Sequence, residues 1–356
     1  MKAGTYLEPV SSFPSGTSNS NRVTIKAETA GNVIWKSPFS TYTPGGHITF
    51  GAVQYITIDG FVIDGNLAAG HVVDTGYSTN MRLINNEIKN GIFNGILNGS
   101  RGPTEIINNN IHDNPGCDTV PSCAATGTSP PGGYAIYGCN YCLFERNNVH
   151  HNGRFGMHLY QGGGAPLSNN TIRYNIVHDN GLVAAASAIL LGGQNNLVYN
   201  NIIYNDGGPG IQVHYTAPQN SMIYNNTIYN VGNSSAAASA GVATGIYIGP
   251  EASGIVVKNN IVNNTPSPAI SNNGVGSVVS NNLSSVAGFL DAANANFGLT
   301  SGSAAIDAGT FLSVVPDDFN GVRRPQGSAY DIGAYEYGGT STASTSSTSA
   351  NLVVSQ

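Results

Sequence analysis

His158 and Tyr160 stand two residues apart in Gly156-Met157-His158-Leu159-Tyr160, so in an extended chain both side chains leave the same face. Arg154 precedes them in the turn leading into that stretch. A histidine or tyrosine can take a proton, and an arginine can neutralise a carboxylate beside it. That combination suits β-elimination at a uronic acid, in which the C5 proton leaves and the 4-linked sugar is expelled. On this reading His158 or Tyr160 is the base and Arg154 the neutraliser. Related stretches recur as Ala135-Ile136-Tyr137, Gly210-Ile211-Gln212-Val213-His214 and Gly245-Ile246-Tyr247-Ile248. They offer Tyr137 and Tyr247 to stack on sugar rings and Gln212 and His214 to hydrogen-bond hydroxyls. No Asp or Glu falls on these stretches between residues 94 and 249. Hydrolysis of a glycoside normally takes two carboxylates, so it would need turn residues such as Asp179, Asp206 or Glu251 to reach in.

What must position these groups is a repeat. The pattern apolar-x-x-Asn-x-apolar recurs, as in Leu83-Ile84-Asn85-Asn86-Glu87-Ile88 and Ile106-Ile107-Asn108-Asn109-Asn110-Ile111. The aligned residues are Asn86, Asn109, Asn147, Asn175, Asn201, Asn226, Asn260 and Asn281, separated by 23, 38, 28, 26, 25, 34 and 21. A period in the twenties with alternating apolar positions reads as an all-β solenoid, three short strands per coil, the coils stacked about 4.8 Å apart. Stacked Asn side chains would form a hydrogen-bonded ladder, and Asn tolerates the left-handed turn conformation. The two long separations mark insertions at 115–132 and 232–243, the first expected to wall the face carrying Tyr137, the second to be a mobile loop. Behind the ladder, Lys89, His112, His150, His178, Tyr204, Tyr229 and Asn263 form another column. Ring stacking explains it more simply than a metal site. Glu145 and Arg173 are placed to pair on the second strands.

The opening Ala3-Gly4-Thr5-Tyr6 followed by Val23-Thr24-Ile25-Lys26-Ala27 resembles the first coil of the pectate-lyase-like superfamily of right-handed parallel β-helix proteins. Ala305-Ile306-Asp307-Ala308-Gly309 and Asp331-Ile332-Gly333-Ala334-Tyr335-Glu336 resemble the terminal segment of many bacterial secreted members. The resemblance reaches nearly everything before residue 338. It implies a right-handed parallel β-helix over 1–337, with sugar chains along the outward face of the first strand. For activity it is less specific, since the superfamily holds lyases, hydrolases, epimerases and non-catalytic binders. Many members bind calcium through clustered Asp. Here Asp113 and Asp179, with His151 between, fall two coils or about 10 Å apart, too far for one ion without help from loops. No cofactor is required by the reading, and Ca2+ stays open.

Composition agrees. Charged residues are 9% of the chain against a usual value of about a quarter, and Gly reaches 46. A net charge of -6 with no basic stripe speaks against a nucleic-acid partner. No apolar run approaches the roughly 18 residues of a membrane span. No leader is visible at Met1, which does not argue for the cytoplasm. Cys117, Cys123, Cys139 and Cys142 leave three disulfide pairings, free thiols and, from Cys139-x-x-Cys142, a zinc site open. The rest of the reading favours disulfides and an extracellular or cell-surface location. Arg323 or Arg324 with Asp318 or Asp331 would close the open end of the solenoid. Residues 338–356 read as a Ser/Thr/Gly-rich linker or tail suited to surface attachment or assembly. The expected function is cleavage of an acidic polysaccharide by β-elimination; a non-catalytic glycan-binding or structural solenoid is the alternative, and a glycoside hydrolase the third.

Overall fold

The computed structural model describes residues 1–338 apart from residues 9, 100–101, 125–131, 161–166, 183 and 267; the Ser/Thr/Gly-rich stretch expected over 338–356 lies outside the described residues beyond 338. The chain winds into three parallel sheets of 9, 10 and 10 strands, and a two-stranded antiparallel ribbon follows them. A typical coil runs Ile189–Leu191, Leu197–Tyr199, Ile202–Tyr204, giving one strand to each sheet. The nine-stranded sheet, from Thr43–Thr49 to Ile270–Asn272, carries the stretches singled out above.

Strands of three or four residues bury little by themselves; stacking supplies the core. Ile96, Ile136, Met157, Ile189, Ile211 and Ile246 follow one another up the nine-stranded sheet, each at 0% exposure. Burying each such side chain contributes roughly 1.5–3 kcal/mol. No single coil could enclose its own apolar face, so stability is shared between neighbours.

The Asn ladder lies at the bend between the two ten-stranded sheets. Asn147 shows its chemistry. Its Oδ1 accepts from Asn109 N and Nδ2, each at 3.0 Å, while its own Nδ2 donates to Asn175 Oδ1 at 2.9 Å and Ile106 O at 2.8 Å. The last rung is Asn282, which accepts from Asn260 Nδ2 at 2.9 Å, and not Asn281 as the spacing suggested. The left-handed conformation belongs to the residue before each ladder Asn: 85, 108, 146, 174, 200, 225, 259 and 281 have φ between 49° and 57°. Two consecutive residues thus divide the two jobs expected of one, and because the left-handed residue points outward it can be Arg146 or Tyr174 as well as Asn.

The cysteines pair as Cys117–Cys123 and Cys139–Cys142. Cys117 and Cys123 pack with Val120 on Ile92, Phe93 and Tyr42, which seats the start of the 115–132 insertion beside the turn leading into the nine-stranded sheet. The 232–243 insertion is more ordered than its composition implied. Ser234 caps the helix Ser235–Ser239, accepting from Ala237 N at 3.1 Å, and Ala237 is buried.

The terminal segment does not cover the open end. It runs along the flank, against the left-handed residues of three coils. Arg324 Nη2 donates to Asn200 Oδ1 at 3.1 Å, Asn225 Nδ2 to Asp331 O at 3.0 Å, and Gly333 N to Asn259 O at 2.7 Å. Arg324 pairs with Glu336 at 2.7 Å, both side chains at 0% exposure, while Asp318 and Asp331 accept backbone N–H groups. The last coil keeps Val278 and Val279 exposed.

Candidate functional site

The outer face of the nine-stranded sheet has the expected register. Leu97 lies beside Tyr137, then His158, Leu190, Gln212 and Tyr247 in successive coils. A second column stacks Tyr160, Gly192, His214 and Gly249, since Gly192 N donates to Leu159 O, His214 N to Leu191 O and Gly249 N to Val213 O.

His158 is only 7% exposed. Its ring lies flat against Tyr134 at 4.8 Å and Tyr137 at 4.9 Å, with the edge of Phe155 at 4.6 Å. Burial lowers its pKa to about 4, and its Nδ1 is buried without a hydrogen-bond partner among the described residues. It is therefore neutral at neutral pH, a weak base, and largely closed off from a polymer. Desolvation packs the ring against two phenols and works against the proton-taking role expected of His158. Gln212, at 3% exposure, is likewise too enclosed for the sugar contact expected of it.

Tyr160 keeps a half-buried place. Its ring lies 5.7 Å from His158 and 4.8 Å from Tyr215. It rests over Gly192, where a Cβ would come within 2.9 Å of Tyr160 Cδ2. Tyr137 and Tyr247 are also half-buried, and Tyr247 presents its ring to the edge of His214 at 5.5 Å. Arg154 is half-buried and anchored through its backbone N to Gly133 O at 2.8 Å. Its charge acts on Tyr134, whose phenol burial pushes up in pKa while Arg154 pulls it back. Burial also raises Tyr137 and Tyr215, so these phenols are proton donors at neutral pH.

Three members of the face were not read from the sequence. Tyr134 escaped because strict alternation puts Ala135 outward; instead Ala135 and Ile136 are both buried and Tyr134 shares the outer side with Tyr137, their rings 5.8 Å apart. Phe155 occupies the next rung. Tyr215 follows His214 in a left-handed conformation, φ 79°, which turns its ring back toward Tyr160, and no periodic signal foretells that. Of the three turn carboxylates considered, Glu251 does reach in, bonding His214 Nδ1 and Tyr215 N. Asp179 faces elsewhere, bonding His178 at 2.6 Å, and Asp206 is buried inside the bend, where its Oδ1 accepts from Asn180 N at 2.7 Å.

A family model described as "Right handed beta helix region" matches residues 122–284. Among solved structures, pectate lyase Pel9A superposes with a TM-score of 0.63 at 16% identity, over 94% of this chain and 86% of that one. An alginate lyase from Paenibacillus sp. str. FPU-7 follows at 0.53 and 16% identity, over 79% and 90%. The chain has the fold of a right-handed parallel β-helix. No curated protein matches it in sequence.

Elsewhere on this β-helix the column of histidines is a ring stack. His112, His150, His178 and Tyr204 follow at 4.8, 4.9 and 4.7 Å with interplanar angles of 5°, 15° and 2°. Burial and the flanking imidazoles lower His150 to a pKa of about 4. Asp113 and Asp179, weighed above for calcium, each bond the histidine before them, at 2.8 and 2.6 Å. Among the described residues no group of three or more His, Cys, Asp or Glu is placed to hold a metal ion. Glu145 and Arg173 pair as expected, Arg173 Nε donating at 2.7 Å.

Proposed function

We propose that the protein binds an acidic polysaccharide across the aromatic outer face of the nine-stranded sheet and cleaves it by β-elimination. The observation that carries this reading is the continuous patch formed by Tyr134, Tyr137, Tyr160 and Tyr215 with Arg154 at its border. Phenols supply flat apolar faces and hydroxyl donors. Arg154 supplies the positive charge that a uronate carboxylate needs before its C5 proton becomes acidic. Tyr160, beside the exposed Tyr215, carries a proton in the reaction, and Tyr137, Tyr247 and His214 contact sugar. The two solved structures superposed above are named as lyases of pectate and of alginate, which supports the same class of substrate.

A hydrolase fits less well. It needs two carboxylates about 5–9.5 Å apart. Glu251 is near His214, whereas Asp74, on the column of Leu97, lies three coils before His158, about 14 Å away along the stack. The enclosure of His158 and Gln212 favours a second reading, a glycan-binding solenoid without catalysis. The disulfides support an extracellular or surface setting, and attachment through residues 338–356 belongs to the same proposal.

The test is incubation with a panel of uronate polymers while ultraviolet absorbance of the unsaturated product is followed. A rise on one polymer names the substrate and the reaction. New reducing ends without absorbance mean a hydrolase. Retention on a polymer column with neither product means a binder.

A further inference from the structure

Glu251 and His214 form an arrangement that β-elimination as described so far does not use. Glu251 sits in the turn after the strand Ile246–Ile248 and reaches back one coil. It accepts from His214 Nδ1 and from Tyr215 N, both through Oε1. Gly249 makes this possible: a Cβ there would lie 2.5 Å from His214 Nδ1 and 2.7 Å from Glu251 Oε1. A carboxylate only accepts, so the neutral ring carries its hydrogen on Nδ1 and leaves the Nε2 lone pair to face a ligand. Both side chains are about a quarter exposed, at 25% and 26%. The ring is held by Tyr215, with centroids 4.1 Å apart, and by Tyr247, perpendicular to it at 5.5 Å. Tyr215 in turn touches Tyr160, so Tyr160 and His214 border one stretch of the face with side-chain-less Gly192 between their rungs.

We propose that His214, oriented by Glu251, is the base that takes the C5 proton of a uronate ring bound between it and Tyr160. The inference rests on the lyase reading above and assigns its proton transfers. The C5–H bond breaks and its proton goes to His214 Nε2; the electron pair forms the C4–C5 double bond as the C4–O4 bond breaks. The Tyr160 hydroxyl gives its proton to the departing O4 and recovers one when His214 releases its proton through solvent, so no oxidant or co-reactant is consumed. Glu251 is a positioning residue: it fixes the tautomer and stabilises the imidazolium that forms.

The experiment measures kcat/KM against pH on the cleaved polymer for the whole chain and for His214→Asn, Glu251→Gln and Tyr160→Phe, each first shown by thermal melting to be folded. His214→Asn is expected to lose about a hundredfold or more. Glu251→Gln is expected to keep a measurable rate and to move the acidic limb of the profile about one pH unit lower, because the imidazolium loses its carboxylate. That displacement is one a purely structural role would not produce. A cleaving wild type whose His214→Asn variant keeps its rate, or whose Glu251→Gln variant keeps the limb in place, overturns this proposal and leaves the lyase reading standing. A wild type that forms no unsaturated product on any uronate polymer overturns the lyase reading, and the base with it.

Discussion

His158 and His214 show how one residue type acquires two characters on the same face. His158 is stacked on Tyr134 and Tyr137 of the preceding coil, and desolvation drives its pKa to about 4. His214 has a carboxylate on Nδ1 and an opening beside Gly192 and Gly249. Replacing His158 by Leu, the residue already occupying the next rung at Leu190, should therefore leave depolymerisation within a few-fold of wild type, measured by product absorbance. A loss of a hundredfold would restore His158 as the base. Arg154→Ala should cost about a hundredfold or more in kcat/KM on a uronate polymer. On the proposed mechanism Arg154 supplies the neutralising charge, so chelation with EDTA should leave the rate unchanged, and a rate that calcium restores would assign that role to the ion.

The bends between strands follow a different logic, that of amide ladders. Beside the main ladder runs Asn114, Asn152, Asn180, Asp206, each bonding the next. In the three Asn rungs Nδ2 donates to the carbonyl two residues before, His112, His150 or His178. Asp206 has an oxygen where those have an NH2, and its Oδ2 is buried without a partner among the described residues. Burial first, with Asp179 adding repulsion and bonds from Asn180 opposing, raises its pKa to about 8, so the carboxyl stays protonated in the fold. Asp179 and Tyr204 interact with it electrostatically. A raised folded-state value means full stability below the unfolded value near 4 and progressive loss as pH rises toward about 8. Asp206→Asn should remove that slope, melting higher than wild type above pH 8 by roughly 1–3 kcal/mol and converging with it near pH 4. Identical pH profiles for the two proteins would show that Asp206 is solvated. In the main ladder, Asn175→Ala strips both neighbours of partners and should cost roughly 3–5 kcal/mol in denaturant melts.

The whole molecule is a stack whose coils lean only on neighbours, so its far end needs a fastening. The terminal segment supplies one by bridging three coils along the flank, and Arg324 is its centre, bonded to Glu336, Asn200 and the carbonyls of Asp317, Asp331 and Gly333. Arg324→Ala would leave the Glu336 carboxylate buried without its cation and should cost about 3–5 kcal/mol in thermal or denaturant unfolding. Catalysis measured below the melting temperature should be unaffected, since none of these contacts reaches the nine-stranded sheet. Exposed Val278 and Val279 on the last coil are what the segment leaves uncovered.

Repetition is what the sequence by itself determined. Apolar alternation and recurring Asn placed the coils, the core stacks and the columns Tyr137–His158 and His112–His150–His178 in their observed register, because in-register stacking maps equal positions onto one another. It misplaced the last rung by one residue, Asn281 for Asn282, because adjacent Asn residues look alike in the sequence. Only the tertiary structure decided what each outward side chain became. Burial turns on what lies over a residue, and no spacing records that His158 is enclosed by Tyr134 and Phe155. Turn geometry decides reach, and no period shows Tyr215 folding back or Glu251 meeting His214 across an absent Cβ at Gly249. The terminal segment's choice of flank over end depended on contacts more than a hundred residues apart, such as Arg324 with Asn200, which a local pattern does not contain.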